Sequence, residues 1–125
     1  MSTEITNRPR PWNGAVAKFI DKDGYPTKKA LAVVANWPIN SREDCAALLD
    51  LVVDIWWGSS RGTGLWTVRG STTVACTGGW SGNEDLIQAM RRNTLFWTLC
   101  WQSSNRGGRH LFKLPKAGGK SPRIK

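Results

Sequence analysis

The sequence predicts a small α+β domain, with a mostly antiparallel sheet packed by two or three helices. Three observations predict it. Two stretches, 41–57 and 81–101, place apolar residues three and four apart, the spacing of one helix face. Leu65–Arg69 and Thr72–Thr77 are runs of Thr, Val and Trp around Gly70-Ser71, the pattern of a β-hairpin. Arg109–Leu114 alternates, with His110, Phe112 and Leu114 on one face, and reads as a last strand.

The elements follow in order. Pro9 and Pro11 exclude a helix interior, so residues 1–14 read as an extended basic arm carrying Arg8 and Arg10. Ala15–Ile20 is a candidate short strand, and Asp21–Gly24 a turn. Pro26 and Thr27 open a stretch to Trp37 whose Ala30, Leu31, Val34 and Trp37 have helical spacing, while the Val33-Val34 pair also allows a strand. Ser41 starts the next helix, with Asp44 three residues on as an imperfect capping box; Cys45, Leu48, Leu49, Val52 and Trp56 form its stripe, and Gly58 stops it. Asp50 and Asp54 fall mostly off that stripe. Ser81 and Glu84 make a full capping box, with Trp80 as a hydrophobic staple on Leu86. Leu86, Ile87, Met90, Thr94, Trp97 and Trp101 then predict one helix of about five turns. Because the last strand follows a helix, it can pair in parallel with the strand ending at Thr77 through a right-handed crossover. The domain spans 15–115, and the Gly-, Lys- and Pro-rich residues 116–125 read as a disordered basic tail.

Composition bounds function. The chain of 125 residues carries 18 Lys and Arg against 9 Asp and Glu, and the tail alone holds Lys116, Lys120, Arg123 and Lys125 with no acid. Such a balance favours polyanionic partners. Every long apolar run is broken by charge or Gly, so no transmembrane helix is expected; the polar N-terminal stretch has no apolar core of a secretory signal. Three widely spaced cysteines suit free thiols in a reducing cytoplasm.

Catalytic and metal readings find little support. One histidine and no close cysteine pair do not fit a zinc site, so no metal and no cofactor is expected. Cys76 and His110 could form a nucleophile–base pair if their strands are neighbours; burial of Cys76 as a small core residue is the simpler reading. Cys45 and Cys100 sit among apolar neighbours and read as core. Gly78-Gly79 before Ser81 has the outline of an anion site at a helix N-terminus, but no P-loop lysine follows and the capping box already accounts for Ser81 and Glu84. The chain is therefore expected not to be an enzyme.

Eight tryptophans and the arginines carry the remaining signal. Trp56, Trp97 and Trp101 lie on apolar stripes and are expected in the core, whereas Trp12, Trp57 and Trp66 are better placed for exposure. Arg61, Trp66, Arg69, Arg91, Arg92, Arg106, Arg109 and Lys113 form the candidate partner- or nucleic-acid-binding surface, extended by the tail bases.

Thr77-Gly78-Gly79-Trp80-Ser81-Gly82-Asn83-Glu84, then Asn93–Trp97 and Arg106-Gly107-Gly108 before an aromatic strand, resemble small uncharacterised proteins of tailed bacteriophages and prophages over residues 24–115. The resemblance carries no activity and no functional residues. It implies an accessory protein made in the host cytoplasm, a binder that disables a host factor such as a nucleic-acid-handling or CRISPR-type defence complex. The alternative is direct binding of nucleic acid through the arginines and the tail. No membrane partner is expected.

Overall fold

The computed structural model describes residues 10, 12–59 and 63–116. Arg61, the tail beyond Lys116 with Lys120, Arg123 and Lys125, and most of the N-terminal arm lie outside the described residues.

Four helices, α1 (Lys28–Ala35), α2 (Arg42–Ile55), α3 (Ser81–Arg92) and α4 (Thr94–Cys100), accompany strands β1 (Trp66–Arg69), β2 (Thr72–Cys76), β3 (Trp101–Asn105) and β4 (Arg109–Lys113). The fold is α+β, as the periodicity predicts. The sheet has the order β1-β2-β4-β3 and every pair is antiparallel. This corrects the parallel crossover: β3, which the sequence reading had inside a helix, turns the chain back so that β4 enters between β3 and β2. Gly70, at φ 60°, makes the first hairpin turn, a conformation costly for residues with a Cβ.

The helix starts repay inspection. Residues 28–35 are helix, resolving the choice left open by the Val pair; Thr27 caps the start by accepting from the Ala30 N–H at 3.1 Å. Ser41 caps α2 by accepting from the Asp44 N–H, and Asp44 in turn accepts from the Asn40 N–H at 2.8 Å, so the reach-back lands one residue before the cap. The Ala15–Ile20 strand is not formed: Asn13–Lys18 is a 3-10 helix, consistent with the weak β-propensity of its two alanines, and only Ile20 bridges to Pro26.

The long third helix is also corrected. It breaks at Asn93, which leaves helical geometry (φ −81°, ψ 87°) and becomes the N-cap of α4. Its side chain is buried. Oδ1 accepts from the Phe96 N–H at 3.3 Å, while Nδ2 donates to the carbonyls of Val34 at 3.1 Å and Trp37 at 2.9 Å. One amide thus caps α4 and adds a donor to two carbonyls, one in the last turn of α1 and one just beyond it.

The predicted Ser81–Glu84 box is absent. α3 starts after Trp80 with no side-chain cap, and Glu84 accepts from the Thr77 hydroxyl at 2.8 Å instead. Ser81 is exposed. Ser81→Ala is therefore expected to change stability by less than about 0.5 kcal/mol rather than the ~1 kcal/mol of a lost cap, as urea denaturation would measure.

The core lies between the helices and one sheet face. Val34, Leu48, Leu49, Leu51, Val52, Leu86, Met90, Phe96 and Phe112 are its largest fully buried apolar side chains, and Trp12, Phe19 and Trp56 are buried at its margin. Cys45 and Cys100 meet there as a hydrogen-bonded thiol pair; that bond, with burial, pushes the Cys100 thiol up, while the same bond lowers Cys45.

Trp12, expected at the surface, is buried. Its indole N–H donates to Asp54 at 2.8 Å and its ring meets Trp37 edge-on. Arg10 pairs with both Asp54 oxygens and lies 3.5 Å from Asp50. Asp50, expected off the apolar stripe, is fully buried. Arg10 accounts for this, because a buried carboxylate persists only with such partners.

Candidate nucleic-acid interface

The register separates the side chains of the sheet into two faces, since neighbours along a strand point opposite ways. Trp66, Thr73, Ala75, His110 and Phe112 face the helices; Thr73, Ala75 and Phe112 are buried there. The other face carries three cross-strand rows: Arg69, Thr72 and Lys113; Thr67, Val74, Leu111 and Ser103; and Cys76, Arg109 and Asn105. None of these outer residues is fully buried. Thr67, Arg69, Thr72 and Val74 line an open depression of about 260 Å³.

This outer face has one sign of charge. Arg69, Arg109 and Lys113 are exposed and make no ion pair among the described residues. None of the four strands contains an acid, nor does either hairpin turn. Arg69 and Lys113 are two strands apart in one row, about 10 Å, and Arg109 is four residues from Lys113 along β4, about 13 Å. Arg106, in the turn before Arg109, adds an exposed base at one end. Cations at these intervals, interleaved with Thr and Ser hydroxyls and an Asn amide, are the groups that contact phosphate oxygens.

The structure gathers only part of the sequence-derived surface. Arg69, Arg106, Arg109 and Lys113 share the outer face or its end, with exposed Lys116 just beyond it. Arg42 Nε donates to the Pro115 carbonyl at 2.8 Å, which fixes where the tail departs. Trp66 does not belong to this face: it is half-buried on the helix side, edge-on to Trp56 at 5.2 Å. Arg91 and Arg92 end α3, where cations suit the helix dipole. Arg91 lies 5.3 Å over the Trp97 ring, and Trp97 stacks on Trp101 at 5.7 Å. Neither tryptophan is full core as expected: Trp97 is half-buried, and Trp101 is 37% exposed because it opens the edge strand β3. Leu95 is 46% exposed, and neither it nor Trp101 is among the outer-face residues of the sheet.

The catalytic alternatives do not assemble. Cys76 is opposite Arg109 while His110 is opposite Ala75, so Cys76 and His110 project to opposite faces of the sheet. His110 instead places Nδ1 2.7 Å from Ser104 Oγ, which also accepts from the Trp101 indole at 2.9 Å. Burial depresses the His110 pKa, with Arg91 acting the same way and Glu84 opposing. A base with a depressed folded pKa contributes stability that is complete above its unfolded value, near 6.5, and is lost as pH falls toward the folded value. His110 is the only histidine, so the melting temperature should fall from pH 7.5 to 5.5, and the fall should shrink in His110→Gln. Among the described residues no cluster of three His, Cys, Asp or Glu could hold a metal ion. No helix among them is long and apolar enough to cross a membrane.

Sequence reasoning missed the ring ladder at one end of the sheet. Trp80, expected as a staple on Leu86, lies between Tyr25 at 4.6 Å and Trp57 at 4.9 Å, both near-parallel. The signal was Gly82: a Cβ there would stand 2.7 Å from Trp80 Nε1 and 2.9 Å from Pro26, so only glycine lets the indole lie flat against α3. Comparison with protein-family models, with curated proteins and with solved structures finds no match to this chain.

Proposed function

We propose that this protein is a non-enzymatic binding protein that holds the phosphate backbone of nucleic acid against the open face of its sheet. The observation that carries the reading is the face whose strands hold no acid and on which Arg69, Arg109 and Lys113 make no ion pair among the described residues and stand beside hydroxyl and amide side chains. A protein interface needs large apolar or aromatic anchors at its centre. This face offers only half-buried Val74 and Leu111 there, and all three exposed large hydrophobic residues, Trp57, Leu95 and Trp101, lie off it. Phosphate recognition needs no such anchor. The resemblance to phage-encoded proteins gives the reading a setting, the bacterial cytoplasm, and a purpose, interference with the host's nucleic-acid-handling or defence machinery.

A second reading is favoured by a different observation. Exposed Trp101, stacked on Trp97 under Arg91, with exposed Leu95 on the same helix as Trp97, is the kind of aromatic and arginine cluster that forms protein hot spots. A host protein held there would make the chain a stoichiometric inhibitor.

Fluorescence anisotropy of labelled DNA and RNA, at 50 and 200 mM salt, tests the first reading against the second. Nucleic-acid affinity that falls with salt, and that persists when Lys120, Arg123 and Lys125 are all changed to Ala, is the expected result. No binding, or binding lost with the tail charges alone, removes the sheet-face reading; capture of a stoichiometric host protein that Leu95→Asp abolishes would then establish the second.

A further inference from the structure

Trp57 is the most exposed large hydrophobic residue described, with 47% of its surface open. It is also among the most firmly held. The Trp57 N–H donates to Asn83 Oδ1 at 2.9 Å, and Asn83 Nδ2 donates back to the Trp57 carbonyl at 3.0 Å. Asn83 itself is buried and also donates to the Thr77 carbonyl. On one side the indole lies against Trp80 at 4.9 Å and 22°, and Trp80 lies against Tyr25 at 4.6 Å and 29°. Trp57 is thus the open end of a three-ring ladder whose backbone is clamped at both polar groups. An exposed indole that only filled a gap would need no such support.

Hydrogen bonds link the ladder to the end of the sheet that carries Arg109. Asn83 joins Trp57 to Thr77, and the Thr77 N–H donates to the Gly108 carbonyl at 3.0 Å, one residue before Arg109. Thr77 also packs so closely on Gly108 that no Cβ could stand there, at a φ of 78°. Phosphates held by Arg109 and Arg106 would therefore bring their nucleotides to the Trp57 end of the sheet.

We propose that the open face of Trp57 is a stacking site for an unpaired nucleobase, which makes single-stranded DNA or RNA the ligand of this surface. The inference rests on the phosphate-binding reading above and adds strand selectivity to it. Near-parallel rings present a flat face that the next planar group continues; they do not form the box of crossed rings that encloses a cationic headgroup. Asn83, the side-chain amide bonded to the Trp57 backbone, has its polar atoms committed to backbone and is not free to read sugar hydroxyls. Stacking needs none, because every base has a π-face. In a duplex both faces of each base are already covered, so the platform discriminates against it.

The test is anisotropy of labelled oligothymidine and of a duplex of equal length, with the full chain at one fixed salt concentration. The wild type is expected to prefer the single strand. Trp57→Ala should lose roughly 10-fold in single-strand affinity with duplex affinity unchanged, and Trp57→Tyr should restore most of the loss. A preserved melting temperature confirms that Trp57→Ala folds. Equal single-strand affinity in wild type and Trp57→Ala overturns the inference, as does a wild type without single-strand preference; the platform would then suit an aromatic side chain of a protein partner. The underlying reading fails separately. Its sign is unchanged binding of both probes when Arg69, Arg109 and Lys113 are reversed to Glu.

Discussion

Asn93→Ala should destabilise the protein by about 3 kcal/mol, among the largest effects expected of any polar substitution in the chain. One buried amide makes three hydrogen bonds that alanine cannot. Removing it uncaps α4, which costs about 1 kcal/mol, and takes the side-chain donor from the buried Val34 carbonyl and the partly buried Trp37 carbonyl. Alanine also has no reason to leave helical geometry at 93. The α3–α4 break would lose its local cause, and with it the placement of Trp97 and β3. Asn93→Asp separates the contributions: it keeps an acceptor for the Phe96 N–H but faces two carbonyls with a carboxylate, so it should be as damaging at pH 7 as alanine. Urea unfolding of the three proteins decides this. A loss below about 1 kcal/mol for Asn93→Ala would mean that the break is set by packing alone.

Reversal of Arg69, Arg109 and Lys113 to Glu should reduce nucleic-acid affinity by more than about 100-fold at low salt. If each base contacts one phosphate, losing three also lowers the slope of log affinity against log salt by about 2 for single strands. The new acids would add repulsion. All three side chains are exposed and unpaired among the described residues, so the melting temperature should hold within a few degrees. Reversal of Arg91 and Arg92, exposed but ending α3 on the helix side, is the matched control. It should weaken binding much less, because those residues share charge but not the face.

The sequence made local structure legible wherever a few neighbouring residues decide it. Thr27 and Ser41 at helix starts and Gly70-Ser71 between two β-rich runs are of this kind. It misled where a distant partner decides. Asn93 sits on an unbroken helical pattern and breaks it because α1 offers two carbonyls. Glu84 has the position of a capping-box residue, but Thr77 takes its carboxylate. β3 was hidden because Gln102, Ser103 and Ser104 carry no apolar alternation; an edge strand gains its pairing from β4 and needs none. The candidate site behaved in the same way. The basic residues could be picked out by type, but which of them share a surface depends on register, and register puts Arg69, Arg109 and Lys113 together and turns Trp66 inward. Trp12 was misplaced for a related reason, since its burial depends on Asp54, 42 residues away in the chain.

The most direct measurement is amide-resolved NMR of the labelled full chain titrated with a short single-stranded oligonucleotide at physiological salt. The largest shifts are predicted at Thr67, Arg69, Thr72, Val74, Arg109, Leu111 and Lys113, with the Trp57 indole signal moving in step. Shifts confined to the tail beyond Lys116, or gathered around Leu95 and Trp101, would contradict the sheet face as the binding surface.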